Sequence, residues 1–150
     1  MLQLVKTDSS NKDFIELVKL LDADLAIRDG DDHAFYHQFN KIDMLKHVIV
    51  GYENNIAVAC GAIKLYDEHS MEVKRMYVLP NHRNKGYAST ILKSLEQWTT
   101  EVGFEKCILE TGINQPEAIH LYKKNNYKII SNYGQYAGVE TSICFEKILS

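Results

Sequence analysis

A cationic turn at residues 83–88 is the part of this sequence whose residue types and spacing most clearly suggest chemistry. It reads Arg83-Asn84-Lys85-Gly86-Tyr87-Ala88. Gly86 carries no Cβ, so a ligand can approach its backbone closely. If a helix begins here, its first N–H groups lack intrahelical partners and carry the positive end of the helix dipole, which favours an anion. With the charges of Arg83 and Lys85, the turn predicts a diphosphate site. The alternative is an ordinary strand-to-helix turn with Gly at its bend.

The residues on either side of the turn have the patterns that such a site needs. Upstream, alternating side chains predict a strand over 71–79, which Pro80-Asn81 ends. Downstream, a helix is predicted over 86–102, and Gly103 ends it. Its apolar face is formed by Ala88, Ile91, Leu92, Leu95 and Val102. A strand, a cationic loop and an amphipathic helix together favour the phosphate interpretation.

A second segment makes the assignment more specific. A predicted strand over 106–111 is followed by Asn114-Gln115-Pro116-Glu117-Ala118-Ile119-His120-Leu121-Tyr122. Together with Arg83-x-x-Gly86-x-Ala88, this segment resembles the Gcn5-related N-acetyltransferase (GNAT) superfamily over residues 72–130. Ala88 stands where that family often has Gly, and Asn126-Tyr127 replaces its usual Gly-Phe. Asn can take the left-handed turn that Gly would otherwise provide.

The remaining elements complete a single domain over residues 1–150. Before the turn, the sequence predicts a strand over 2–6, a helix from an Asn11 or Ser10 cap through Leu25, and a short helix over 32–39. Strands over 47–52 and 56–65 follow, joined by a hairpin turn at Asn54-Asn55. The chain ends with a strand from 127 and a last strand over 142–147. The order is β-α-α-β-β-β-α-β-α-β-β. The predicted fold class is α/β (α+β), and the resemblance implies a GNAT-like mixed, mostly antiparallel central sheet with flanking helices.

The resemblance also implies which residues bind acetyl-CoA. Its diphosphate would lie at the turn, and its pantetheine arm would run back along strand 71–79 between two separated strands. The implied cofactor-binding residues are Met76, Tyr77, Val78, Arg83, Asn84, Lys85, Gly86, Tyr87, Ala88, Ser89 and Asn114. Asn114 could instead cap the helix that follows it. A cationic rim of Lys74, Arg75, Arg83 and Lys85 is expected around the cofactor.

Two side chains are candidates for proton transfer. Tyr122 occupies the position where the family often places the general acid that protonates the departing thiolate; the alternative is that it only packs against the sheet. Glu72 could accept the proton of the incoming amine, directly or through a water, or could be a solvated strand end. Glu110 is the reserve candidate. A backbone N–H near Val78 is a reasonable donor to the oxyanion.

The acceptor is less well defined by the sequence. Residues 1–43 contain nine acidic and five basic side chains, and in the family the segment after the first helix lines the acceptor pocket. Asp29, Asp31, Asp32 and Tyr36 would suit a cationic amine, unless this segment is a solvated loop with Asp32 as a helix cap. His33 and His37 are four residues apart, but without a third ligand they predict no metal site.

Composition excludes several classes of protein. The chain of 150 residues is 45% hydrophobic and 25% charged with a net charge of −3, which favours one cytoplasmic globular domain without nucleic-acid or membrane partners. We see no signal sequence at the N-terminus. Cys60, Cys107 and Cys144 lie in apolar runs and are expected to be buried free thiols.

The sequence therefore predicts an N-acetyltransferase that moves acetyl from acetyl-CoA to a primary amine of a small molecule or peptide in a ternary complex. One alternative is a regulatory module that binds acyl-CoA without turnover. The other is a nucleotide-binding domain, although the chain has no P-loop ending and no Rossmann glycine pattern. The identity of the acceptor, the acyl-chain preference and the oligomeric state, including a homodimer, stay open.

Overall fold

Seven strands form one sheet that carries helices on both faces. The computed structural model describes residues 1–29 and 44–149, so the predicted short helix over 32–39 lies outside the described residues. In chain order the elements are β1 (Gln3–Thr7), α1 (Lys12–Asp29), β2 (His47–Glu53), β3 (Ile56–Leu65), β4 (Ser70–Val78), α2 (Tyr87–Glu101), β5 (Lys106–Gly112), α3 (Pro116–Lys124), β6 (Lys128–Ile130) and β7 (Ser142–Ile148). Short 3-10 turns occupy Pro80–His82 and Gly134–Tyr136.

The strand order in the sheet is β1-β2-β3-β4-β5-β7-β6. Neighbouring strands are antiparallel except β4 and β5, which are parallel. This arrangement confirms the predicted mixed, mostly antiparallel sheet. It also places β4 and β5 at the centre of the sheet. Because α2 connects these two parallel strands, it packs on one face of the sheet.

Alternation along the strands divides the apolar side chains between two cores. In β2, Val48 and Val50 are buried against α1, whereas Ile49 is buried in the core that contains α2. The predicted buried face of α2 is confirmed at Ile91, Leu92 and Leu95. It is wrong at Val102, which follows the helix and is 39% exposed. Within the described residues, no helix is long and apolar enough to cross a membrane.

Asparagine residues make several of the predicted local turns. Asn54 and Asn55 have φ of 51° and 67°, which are the left-handed angles that a tight hairpin requires. Asn126, with φ of 72°, takes the turn for which the resembling family uses Gly. The Asn11 side chain accepts a hydrogen bond from the Phe14 backbone N–H at 2.9 Å, so Asn11 is the cap of α1.

β4 departs from the regular alternation that the sequence predicts. Its pairing with β3 shifts between Cys60 and Ala62, and Arg75 has a φ of 61°, which indicates a β-bulge. The bulge turns Arg75 toward α1, where Nη1 donates to Asp22 Oδ1 at 2.8 Å. Gly61 lies opposite the bulge, and a Cβ there would be 2.5 Å from Met76 Sδ. Only glycine fits this position without a shift of its neighbours.

Candidate active site

β4 and β5 pair only at their first residues and then separate. Their register pairs end at Glu72 and Ile108, although β4 stays paired with β3 to Val78 and β5 stays paired with β7 to Gly112. Beyond Glu72, the facing edges of β4 and β5 are not paired with each other or with any other described strand. The gap opens into a cleft of about 770 Å³.

The cleft brings most of the predicted site residues together. Its wall includes the predicted residues Glu72, Met76, Tyr77, Val78, Arg83, Asn84, Gly86, Tyr87, Ala88, Ser89 and Tyr122, and the reserve candidate Glu110. It extends from β4 to the beginnings of α2 and α3, and α1 contributes Leu21, Asp24, Leu25 and Arg28. Lys85 and Asn114 are not part of this wall.

The turn at one end of the cleft has the geometry of an anion site. Gly86 is the N-cap of α2 with φ of 80°, and no side chain caps the helix. No described atom lies within 4 Å of a Cβ built on Gly86, so the space beside the backbone is open. Arg83 is held in place because its Nε donates to Val78 O at 2.9 Å. The uncapped N–H groups and the open backbone therefore fit a diphosphate.

Glu53, a carboxylate that the sequence did not predict as part of the site, contacts this turn through its side chain. Glu53, at the end of β2, accepts hydrogen bonds from Tyr87 Oη at 2.7 Å and Lys85 Nζ at 3.2 Å. Its Oε2 also lies 2.6 Å from His82 Nδ1. The Tyr87 hydrogen bond, with those of Lys85 and His82, lowers the pKa of Glu53 to about 2. No sequence signal identifies Glu53, because it lies more than 25 residues from the groups that it contacts.

The expected cationic rim is largely neutralised by these and similar contacts. Lys85 pairs with Glu53, and Arg75 is buried beside Asp22 with its side chain 3% exposed. Lys74 Nζ lies 3.7 Å from Glu72 Oε1. Each of these three cations has a carboxylate neighbour, which offsets part of its charge, and Lys74, Arg75 and Arg83 are among the residues that line the cleft.

Tyr122 is part of the cleft wall. It is buried, and its ring packs edge-on against Tyr127 with centroids 5.7 Å apart. Burial raises the pKa of its hydroxyl above the ordinary value, and the nearby charge of Glu110 raises it further. The hydroxyl therefore keeps its proton at neutral pH.

Glu72 is buried, so the alternative of a solvated strand end is wrong. It is 7% exposed and accepts a hydrogen bond from Tyr133 Oη at 2.5 Å. On the neighbouring strand, Glu110 accepts a hydrogen bond from Ser142 Oγ at 2.7 Å. Burial raises the pKa of Tyr136, and the charges of Glu110 and Glu72 raise it further. Tyr136 also lines the cleft. Two carboxylates thus lie in the same wall.

Asn114 is placed differently from the prediction. It is exposed in the turn after β5, and its Nδ2 donates to Arg28 O at 3.4 Å. The alternative role as a helix cap is also wrong, because Gln115 is the N-cap of α3. The chain turns at Asn114, and it is Gln115 that reaches the cleft wall.

The lining of the cleft includes an ion pair between two helices. Arg28 of α1 donates to both carboxylate oxygens of Glu117 of α3, at 2.7 and 3.0 Å. Arg28 thereby lowers the pKa of Glu117 to about 2. Asp24 also lies 3.2 Å from Arg28 Nε, so the guanidinium has carboxylate partners on both helices.

The predicted acceptor residues cannot be placed in this cleft. Asp31, Asp32 and Tyr36 lie outside the described residues, as does the side chain of Asp29, the last residue of α1. His33 and His37 are also outside them. Among residues 1–29 and 44–149, no group of His, Cys, Asp or Glu could hold a metal ion.

The three cysteines are buried free thiols, as predicted. Burial raises the pKa of Cys60 to about 12 and that of Cys107 and Cys144 to about 11. They are therefore protonated at neutral pH, and none of them lines the cleft.

Comparisons with known proteins agree with this geometry. The family model described as "Acetyltransferase (GNAT) family" matches residues 14–127. The IAA acetyltransferase of Azospirillum brasilense is 32% identical over 102 residues, which are 67% of each protein. Other curated relatives are matched over 50% to 66% of their own lengths.

Solved structures share the whole fold. A candidate acyl-CoA N-acyltransferase from Klebsiella pneumoniae superposes with a TM-score of 0.84 at 28% identity, covering 100% of this chain and 99% of that one. A GNAT family acetyltransferase from Elizabethkingia anophelis, with acetyl-CoA bound, has a TM-score of 0.68 at 16% identity, covering 99% of this chain and 98% of that one. The second likeness is one of fold alone.

Proposed function

The chain belongs to the acetyltransferase (GNAT) family, and from this premise we propose that it transfers the acetyl group of acetyl-CoA directly to a primary amine. Acetyl-CoA supplies an acyl group that is activated as a thioester. The amine attacks in a ternary complex, without an acyl-enzyme intermediate. This is supported by the three cysteines, which are buried, protonated and outside the cleft wall.

One observation carries the proposal. The cleft begins where β4 leaves β5 after Glu72 and ends at the uncapped beginning of α2. A pantetheine arm can bond to the free edge of β4, and the diphosphate then reaches the N–H groups beside Gly86. The thioester would lie beside Met76, Tyr77 and Val78, where a backbone N–H near Val78 is a suitable donor to the oxyanion.

Two buried side chains supply the proton transfers in this proposal. Glu72 takes the proton of the incoming ammonium, directly or through a water, because it is a carboxylate in the wall of the same cleft. Tyr122 gives its proton to the thiolate as the C–S bond breaks, and the resulting phenolate takes up the second proton that the nitrogen loses when the amide forms. Because burial keeps the Tyr122 hydroxyl protonated, the proton is present over the whole neutral pH range. Since the pKa of this hydroxyl is above that of a thiol, Tyr122 acts as an acid through its position rather than through driving force.

The experiment that tests this proposal is a calorimetric titration with acetyl-CoA of the wild type and the Gly86→Glu variant. A glutamate at residue 86 fills the open space beside the turn and adds a negative charge, so we expect binding to be lost. Gly103→Glu is the matched control. Gly103 also has a positive φ, of 92°, with no described atom within 4 Å of a built Cβ, but it lies at the other end of α2.

Equal loss of binding in both variants would indicate strain rather than a cofactor site at the turn. Absence of acetyl-CoA binding to the wild type would refute the proposal. Acetyl-CoA binding without transfer to any amine in a broad panel would favour the regulatory module instead.

A further inference from the structure

Glu72 is hydrogen-bonded to a tyrosine that does not line the cleft. Its Oε2 accepts a hydrogen bond from Tyr133 Oη at 2.5 Å, and Glu72 is part of the cleft wall whereas Tyr133 is not. Lys74, which is also part of the wall, lies near the other oxygen, with Nζ 3.7 Å from Oε1. The two oxygens of Glu72 therefore differ: Oε2 is bonded to the phenol, and Oε1 lies toward a residue of the cleft wall.

The Tyr133 hydroxyl is the donor in this pair. Burial raises the pKa of Tyr133 far above its ordinary value, and the charge of Glu72 raises it further, so the phenol stays protonated at neutral pH. A hydrogen bond that a carboxylate accepts stabilises its charged form, whereas burial favours the neutral acid. Because Glu72 is buried, the bond from Tyr133 opposes its protonation.

Tyr133 is itself fixed by the segment between β6 and β7. Asn132 Nδ2 donates to Val139 O at 2.9 Å, which ties the two ends of this segment together. The Tyr133 ring packs edge-on against Tyr66 and Tyr136, with centroids 5.1 and 5.9 Å apart. A phenol that is supported on both sides can hold a carboxylate in one orientation.

We propose that Tyr133 is a positioning residue for acetyl transfer, because its hydrogen bond keeps Glu72 ionised and leaves Oε1 to meet the incoming ammonium. This inference rests on the proposed function, in which Glu72 takes the proton of the amine. One proton moves from the ammonium nitrogen to Oε1, and the Tyr133 hydroxyl keeps its own proton throughout. Tyr133 acts through Glu72 and does not touch the substrates.

The other ionisable groups that face Glu72 come from four parts of the chain. On β3, Lys64 is its register partner, and on β4, Lys74 lies beside Oε1, although burial lowers the pKa of its ammonium. On β5, Glu110 carries a like charge, and in the segment after β6 the hydroxyl of Tyr136 lies close enough for both carboxylates to act on it. The two lysines favour ionised Glu72, and Glu110 opposes it.

The test measures the ionisation of Glu72 and needs no acceptor. The protein is isotopically labelled at its glutamate carboxyl carbons and titrated by NMR, and the Glu72 resonance is identified by its absence from Glu72→Gln. Tyr133→Phe removes one hydroxyl and keeps the ring and the charges around Glu72. We expect the midpoint of the Glu72 titration to rise by about one to two pH units, the effect of losing one hydrogen bond to a charged group.

Tyr66→Phe is the matched control. It also removes one hydroxyl from the aromatic cluster, but Tyr66 makes no hydrogen bond to Glu72 within the described residues, so the midpoint should stay unchanged. A second variant tests the inference even if Tyr133→Phe does not fold. Site-specific replacement of Tyr133 by 3-fluorotyrosine keeps the hydroxyl and makes it a more acidic, stronger donor, so the midpoint should fall.

The same variants are then assayed for transfer. Thiol release from acetyl-CoA is followed against pH with spermidine, tyramine and L-lysine as the amines. In Tyr133→Phe, the acidic limb of kcat/KM should move to higher pH with the midpoint, while the affinity for acetyl-CoA stays the same. In the Glu72→Gln background, Tyr133→Phe should have no further effect on the rate, because the two residues act as one unit.

The outcomes separate this inference from the proposed function. Equal midpoints in the wild type and Tyr133→Phe, or the same rise in Tyr66→Phe, would overturn the inference and leave acetyl transfer in place. A raised midpoint with an unshifted acidic limb would also overturn it, since the ionisation of Glu72 would then not limit transfer. Absence of acetyl-CoA binding to the wild type would refute the proposed function, whereas the titration would still decide whether Tyr133 keeps Glu72 ionised.

Discussion

Gly61→Ala should destabilise the protein and disturb the cleft together, because Gly61 lies opposite the bulge of β4. A Cβ at residue 61 would be 2.5 Å from Met76 Sδ, 2.9 Å from Ile91 Cγ2 and 3.0 Å from Leu95 Cδ1. Ile91 and Leu95 are fully buried on α2, so the main relief is a movement of Met76. Met76 also lines the cleft, and its displacement should weaken acetyl-CoA binding.

The size of the effect follows from packing. Overfilling a well-packed core costs about 1–3 kcal/mol, and replacing Gly by Ala returns about 0.4–1 kcal/mol by restricting the unfolded chain. A net loss of about 1–2 kcal/mol corresponds to a fall in Tm of about 2–8 °C for a chain of this length. Thermal unfolding followed by circular dichroism measures the loss, and calorimetry measures the affinity for acetyl-CoA.

Gly51→Ala is the matched control on the neighbouring strand. There the three atoms nearest to a Cβ all belong to the Leu2 side chain, at 3.0–3.2 Å, and Leu2 is partly exposed close to the chain terminus. We expect its Tm to change by less than that of Gly61→Ala and its affinity for acetyl-CoA to stay the same. Equal Tm values for the two variants would refute the argument that the bulge requires glycine at residue 61.

Two further predictions concern the proton donor and the turn. Tyr122→Phe should keep the affinity for acetyl-CoA but slow transfer by about 10²–10⁴-fold, the usual contribution of a general acid; steady-state kinetics measure this, and unchanged turnover would remove Tyr122 from the chemistry. Glu53→Gln should weaken acetyl-CoA binding, because Lys85 and Tyr87 lose the carboxylate that positions the turn. Since the pKa of Glu53 is lowered from 4.5 to about 2, its contribution to stability is present in full above the ordinary pKa and is lost as pH falls toward about 2. Acid unfolding of wild type and Glu53→Gln should therefore converge at low pH, and parallel curves down to pH 2 would contradict this.

Much of the site could be predicted where its geometry depends on near neighbours in the chain. The turn at Arg83 and Gly86 was predicted because an uncapped helix start and a glycine are readable from adjacent residues. Asn114 lies outside the cleft wall and its neighbour Gln115 lies in it, because which residue of a turn faces a cleft depends on packing beyond the turn. The exposed position of Val102 is an error of the same kind, made at a helix end.

Partners that are distant in the chain could not be predicted. Glu53 contacts the turn from about 30 residues away, and Tyr133 covers Glu72 from 61 residues away. Neither contact leaves a pattern in the local sequence, because an isolated Glu in a strand looks the same whether it is solvated or buried. The carboxylate neighbours of Arg75 and Lys85 could not be predicted for the same reason.

The sequence by itself determined the local conformations: the strand and helix periods, the Asn54-Asn55 hairpin, the left-handed Asn126 and the uncapped start of α2 at Gly86. These depend on backbone sterics and on side chains a few residues apart, so the order of residues is sufficient to specify them. Only the tertiary structure decided that β4 separates from β5 after Glu72, that a bulge turns Arg75 toward α1, and that Glu72 is buried beneath Tyr133. Those features arise because packing on both faces of the sheet determines which strand edges pair and which charged side chains are buried. This packing involves segments from the whole chain, so no local stretch of sequence specifies it.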